Sequence, residues 1–184
     1  MPNLFHISET PNIREFKPRP VQNNAYQIKD DVVWAIAGEH LPNYYLPRDC
    51  PRVTFFVSEE TTPADQAKFF GHTYATKIIA VETAWVQRIL SQKLFRYEFN
   101  PSGFELIDQT AGYYVSRNCV FSLNEVQIDN ILGELLSTGV ELHFMPLLWK
   151  LREAVIHSSL GFSIIRMQNA APPPEGLEAF YPLP

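Results

Sequence analysis

Apolar residues in this chain fall mostly into runs of four to six, the length of strands, with only a few stretches at helical spacing. Leu4–Ser8 is the first such run and predicts a strand. Thr10 followed by Pro11 has the form of a capped helix start, so 11–16 is expected to hold one helical turn before Lys17-Pro18-Arg19-Pro20 stops it. Val21–Asp31 is polar and reads as a loop. Val32–Ile36 is continuously apolar, as expected of a strand buried on both faces. Val53–Val57 and Lys77–Val81 are β-rich runs. Between them Thr62-Pro63-Ala64-Asp65 opens a helix that Gly71 closes.

Thr83–Gln92 reads as a helix with Trp85, Ile89 and Leu90 on its buried face. In Leu94–Phe99, Phe95, Tyr97 and Phe99 alternate with polar positions. The turn Pro101-Ser102-Gly103 then predicts a hairpin with Phe104–Ile107. Gly112–Ser116 is a strand and Cys119–Phe121 starts another. Val126, Ile131 and Leu135 suggest a helix over Asn124–Leu136. Val140–Phe144, a helix at Leu147–Ile156, and Phe162–Met167 complete the ordered part. The expected architecture is α+β: one strand-rich domain over 1–170, then a proline-rich tail over 171–184.

Composition narrows the class. The 184 residues are enough for a core without disulfides or metal. A net charge of −5 argues against coating nucleic acid through bulk charge. No apolar run reaches spanning length and the start has no leader pattern, so neither membrane insertion nor secretion is expected. Cys50 and Cys119 form no framework, which fits a reducing cytosol.

Glycine-rich phosphate loops, nucleophile elbows and paired-histidine spacings are missing from the sequence. The five histidines are scattered, so no metal site is expected; His143 and His157 read as half-buried packing residues. Three features carry chemistry instead. His6 and Ser8, two apart in a strand, present an imidazole and a hydroxyl on one face. Trp34, followed by Tyr44 and Tyr45, offers rings on which a flat ligand can stack, ordinary core packing being the alternative. Pro47-Arg48-Asp49-Cys50-Pro51-Arg52 holds two guanidinium forks suited to phosphate or carboxylate, or to pairing with Asp49. Arg117 and Arg166 are further cationic candidates, with pairing inside the fold the natural role of Arg166.

The ordered set Leu4-Phe5-His6-Ile7-Ser8, Asn12-Ile13, Val33-Trp34-Ala35-Ile36 and Tyr44-Tyr45 resembles the first half of the ADP-ribosyltransferase-like fold. That likeness implies a split sheet with peripheral helices and NAD, or another nucleotide phosphate, as ligand. His6 would be the catalytic anchor and Ser8 its neighbour on the nicotinamide ribose and carboxamide. Tyr44 or Tyr45 would stack on the ring, and Arg48, Arg52 or Arg117 would meet phosphate. In the same register Gly112 stands where the poly(ADP-ribose) polymerase branch carries its glutamate; the RNA 2′-phosphotransferase branch works with arginines and a histidine instead. The whole chain is also similar to a group of short, mainly bacterial proteins of unknown activity. They share the Phe5-His6-Ile7-Ser8-Glu9, Phe16-Lys17-Pro18-Arg19, Trp34-Ala35 and Pro47–Arg52 segments.

Three functional readings follow. One is a transferase-like enzyme binding a nucleotide around His6. A second is a non-catalytic module that keeps the fold for a small ligand or a protein. The third, the weakest, is a hydrolase using Cys50 or Cys119 with a histidine.

Overall fold

The alternation in Leu94–Phe99 works out as expected: in the computed structural model Phe95, Tyr97 and Phe99 are buried on one face of a strand and support a sheet core. Residues 2–21, 26–109 and 111–174 are described. In chain order the elements are β1 Leu4–Ser8, β2 Glu15–Phe16, β3 Val33–Ala37, β4 Arg52–Phe56, α1 Pro63–Phe70, β5 Lys77–Glu82, α2 Val86–Ser91 and β6 Leu94–Phe99. There follow β7 Glu105–Asp108, β8 Tyr113–Ser116, β9 Val120–Ile128, α3 Ile131–Ser137, β10 Glu141–Met145, α4 Trp149–Ile156 and β11 Gly161–Ile165. Short 3₁₀ turns occupy Gly38–Tyr44, Thr83–Trp85 and Met167–Asn169. The fold is α+β. It gathers into two compact units, one of Met1–Tyr45 with Gln92–Asp129, the other of Leu46–Ser91 with Asn130–Pro184.

The first unit is a seven-stranded sheet in the order β2-β9-β6-β1-β3-β8-β7, antiparallel throughout. Leu4 sits opposite Ala37 on one side and Phe99 on the other. Opposed residues share a face, so Leu4, Val33, Ala35, Phe95, Tyr97 and Phe99 line one core, closed by Phe16. Phe16 meets Tyr97 and Phe99 edge-on at ring separations of 5.0 and 4.9 Å.

Three expectations are corrected in this unit. The helical turn over 11–16 is absent, and Glu15–Phe16 is a strand on β9. Asn12 has a left-handed φ of 60°, and the N–H groups a helix would need are taken elsewhere. Asn12 donates to the Glu125 carboxylate and Ile13 to the Tyr97 hydroxyl, which itself donates to the Thr10 carbonyl at 2.7 Å. The hairpin of β6 with Phe104–Ile107 does not form, because β1 and β9 take both edges of β6 and β7 pairs with β8 instead. The helix expected over 124–136 begins only at Ile131, where the Asn130 side chain accepts from the Gly133 N–H. The residues before Asp129 continue β9. Of the loop over 21–31, residues 22–25 lie outside the described residues.

The second unit is a four-stranded sheet, β10-β5-β4-β11, with β10 parallel to β5 and the other pairs antiparallel. Val53, Phe55, Ile78 and Ala80 form one face, on which Phe70 of α1 and Trp149 and Val155 of α4 pack. Thr62 caps α1 by accepting from the Asp65 N–H. Over Thr83–Gln92 only Ile89 is deeply buried. Leu90 is exposed and Trp85 half-buried, so the expected three-residue face is reduced to one anchor. Buried Glu82 accepts from the Ala171 N–H at 3.0 Å while the Trp149 indole donates to the Ala171 carbonyl at 2.7 Å. That clip fixes the start of the proline-rich tail, whose residues 175–184 lie outside the described residues.

Two measurements test these arrangements. Tyr97→Phe removes a buried hydroxyl that both accepts from Ile13 and donates to Thr10. We expect a loss of about 1–3 kcal/mol in urea unfolding. Asp65 receives hydrogen bonds from the Ser159 N–H and hydroxyl, each at 2.7 Å, which hold its carboxyl below the usual range. A depressed folded-state pKa gives stability that is complete above the unfolded value near 3.8 and is lost as pH falls through the lower folded value. Acidification from about pH 5 to pH 3 should therefore lower the unfolding midpoint more in the wild type than in Asp65→Asn.

Candidate functional site

Pairing in the first unit separates the sequence-predicted residues onto two faces. His6 lies opposite Tyr97 and Ser8 opposite Phe95, so both point to the face that carries the core. The His6 ring lies 5.1 Å from Phe16 and 6.4 Å from Phe99. Its Nδ1 is 3.1 Å from the Trp34 carbonyl. A carbonyl only accepts, so Nδ1 carries the proton and the lone pair of the neutral ring is on Nε2. The Ser8 hydroxyl accepts from the Thr10 N–H at 3.0 Å and shapes the chain after β1.

Trp34 projects from the opposite face of the sheet, since Val33 and Ala35 belong to the core and alternate with it. It meets Tyr113 nearly perpendicularly at 5.6 Å. Around Tyr113 the structure collects Tyr26 at 5.8 Å and Tyr44 at 6.4 Å. The Tyr44 hydroxyl donates to that of Tyr113 at 2.6 Å, and Tyr26 donates to the Asp108 carboxylate at 2.9 Å. Burial and the Asp108 charge push the Tyr26 phenol up. The two tyrosines of the sequence pair are thus told apart. Tyr44 joins the half-buried aromatic group, whereas Tyr45 is buried and its hydroxyl accepts from Arg96 at 2.8 Å.

Gly112 immediately precedes β8 with φ 68°, and a Cβ there would overlap the His40 ring. The glycine is therefore required twice, by backbone conformation and by the imidazole beside it. No glutamate can be added at this position without moving His40.

The arginines behave differently from one another. Arg117 donates through Nε to Asp30 at 2.9 Å and through Nη1 to Glu105 at 2.6 Å; both carboxylates raise its pKa further. Arg48 and Arg52 belong to the second unit. Arg48 is exposed. Arg52 is buried and donates to the Cys50 and Pro47 carbonyls, so its guanidinium braces the proline loop from inside. Arg166 stands beyond β11 in a left-handed conformation, not within a strand.

A second cluster escaped the sequence reading. Glu141 and His143, two apart on β10, share a face and meet at 2.5 Å between Oε1 and Nε2. The turn after α1 brings His72 to them, so that one ligand atom from each residue lies within 4.8 Å of the others. The Thr73 hydroxyl donates to Glu141 Oε2 at 2.5 Å, and Thr73 and His143 hold the Glu141 carboxyl below its ordinary range. His72 and His143, far apart in sequence, are brought together in space. The alternation of Glu141 and His143 was legible; the turn that returns His72 was not. His157 is exposed and does not pack as expected, its Nδ1–H donating to the Glu153 carbonyl at 2.9 Å.

The chain is thus an α+β protein with an aromatic group on one sheet and a histidine–carboxylate cluster on the other. It belongs to DUF6886, a family of unknown function, whose model matches residues 5–170. No curated protein and no solved structure matches it.

Burial bears on cysteine chemistry. Cys50 is fully buried and its thiol is pushed up to about 12, mainly by desolvation, while Cys119 is exposed. Iodoacetamide at pH 8 should modify one thiol per native chain, Cys119, and both after denaturation, as counted by intact mass.

Proposed function

We propose that this DUF6886 chain is a ligand-binding module in which the Trp34–Tyr113–Tyr44 group receives a flat heteroaromatic ring, of the kind the nicotinamide end of NAD presents, without cleaving the bond that joins the ring to ribose. The observation that carries this reading is the gathering of three half-buried rings from β3, β8 and the Gly38–Tyr44 turn onto one sheet face. Rings tied by a hydroxyl pair are pre-organised, so little conformational entropy is lost when another ring packs on them.

The absence of transfer rests on Gly112. Stabilising an oxocarbenium-like transition state by the glutamate route needs a carboxylate there, and His40 fills the space. Asp108 reaches the aromatic group through Tyr26, whose ring meets Trp34 and Tyr113. That charge favours a neutral or cationic ring over a phosphate. His6, between Phe16 and Phe99 and bonded to the Trp34 backbone, acts as a brace for β3, not as the catalytic anchor. The ADP-ribosyltransferase-like lineage belongs to this reading as its origin: a fold retained for the ring and stripped of the chemistry.

Calorimetric titration with nicotinamide, NAD and ADP-ribose tests it. Nicotinamide and NAD should bind, ADP-ribose should bind at least about tenfold more weakly, and Trp34→Ala should abolish the heat without unfolding the chain. NAD should remain intact on prolonged incubation. Silence from all three ligands, or loss of binding in a folded His6→Ala but not in Trp34→Ala, would overturn the proposal.

A further inference from the structure

The cluster on the second unit has no part in ring binding, and its chemistry is that of a metal site. Two imidazoles and one carboxylate are the donor set that zinc-type divalent ions take. His72, Glu141 and His143 supply it from two rigid supports, the turn closing α1 and the edge strand β10. Gly71 makes that turn tight, because a Cβ there would strike the Ala67 carbonyl. The Thr73 N–H, donating to Phe70, fixes the next residue. His72 is therefore held on a short, constrained segment.

We propose that His72, Glu141 and His143 bind one divalent transition-metal ion of the zinc type, with the remaining coordination positions open to water. Ligands about 2.1 Å from a common ion lie within about 4.2 Å of one another. The ligand atoms now lie within 4.8 Å of one another, so loading draws them together through rotation of the side chains. Glu141 also has the outer support such ligands need. Thr73 holds Oε2, which leaves Oε1 aimed at the space shared with His143 Nε2. On loading, the Glu141–His143 hydrogen bond gives way to two bonds to the ion. His72 is exposed, and Glu141 and His143 each keep 33% of their side-chain surface accessible. Three protein atoms at such a position leave room for solvent ligands. A hard ion such as Mg²⁺ or Ca²⁺ prefers more oxygen than one carboxylate offers here.

The test uses the untagged full chain, stripped with chelator and dialysed. Titration with Zn²⁺ should give one ion per chain. Co²⁺ should produce the visible d–d bands of a low-symmetry four- or five-coordinate site, bleached by added Zn²⁺. Mg²⁺ and Ca²⁺ should give no heat. His72→Ala changes an exposed turn residue and should leave the circular dichroism spectrum intact. It should weaken Zn²⁺ binding at least about a hundredfold and erase the Co²⁺ bands. Thr73→Val should weaken binding about tenfold, as loss of an outer-sphere partner does. Failure to take up one ion per chain would overturn the assignment. So would uptake unchanged in both His72→Ala and His143→Ala, which would place the ion on other histidines. Nicotinamide binding is read separately, so this site stands or falls apart from the aromatic one.

Discussion

In an antiparallel sheet a side chain cannot choose its face once its strand is paired. Leu4 opposite Ala37 and Phe99 therefore commits every residue of β1, β3 and β6. Leu4, Val33, Ala35 and Phe99 belong to the apolar core of the first unit, and burying that core sets the register. A slip of β6 by one residue would turn Phe95, Tyr97 and Phe99 away from that core and turn Arg96 and Glu98 towards it, so alternative pairings are strongly disfavoured. The positions of His6 and Trp34 follow from this constraint without any requirement of their own.

That consequence bears directly on the His6–Ser8 pair and Trp34. A histidine and serine two apart in a first strand, followed by a ring on a later strand, are a sign of nucleotide chemistry only if they face one ligand. Here the two groups are divided by the sheet, and each is used locally. His6 and Ser8 hold the backbone of Trp34 and Thr10, while Trp34 and Tyr44 collect around Tyr113. Gly112 and His40 make the same point in steric terms. The position that the resemblance aligns with a glutamate is one where the neighbouring imidazole and a positive φ both favour glycine.

Much of the fold was legible because its signals are local. Thr62-Pro63 and Gly71 delimit α1, and the period-two pattern of Leu94–Phe99 survives intact. The errors share a cause. At 11–16 and 124–128 the backbone is claimed by distant partners, Tyr97, Glu125 and the edge of β6, whose presence no local window reveals. The same holds for the sites. Period two placed His6 with Ser8 correctly, but it could not place Trp34 relative to them, which depends on strand order. Tyr113, Tyr26 and His72 have no motif at all and become visible only when the chain returns.

The cluster on β10 admits a simpler explanation that has to be weighed. An edge strand needs protection from pairing with another chain, and charged or polar residues provide it. Glu141 and His143 on alternate positions satisfy that need by themselves. Protection does not, however, require a second histidine brought in by a tight turn. Nor does it require a threonine hydroxyl spent on one carboxylate oxygen while the other is directed at an imidazole. A carboxylate that keeps a third of its side chain accessible is still reached by solvent, so fixing both of its oxygens on side chains costs entropy that edge protection does not require. An ion shared by the three side chains would offset that cost. The arrangement is therefore better accounted for by coordination than by edge protection alone.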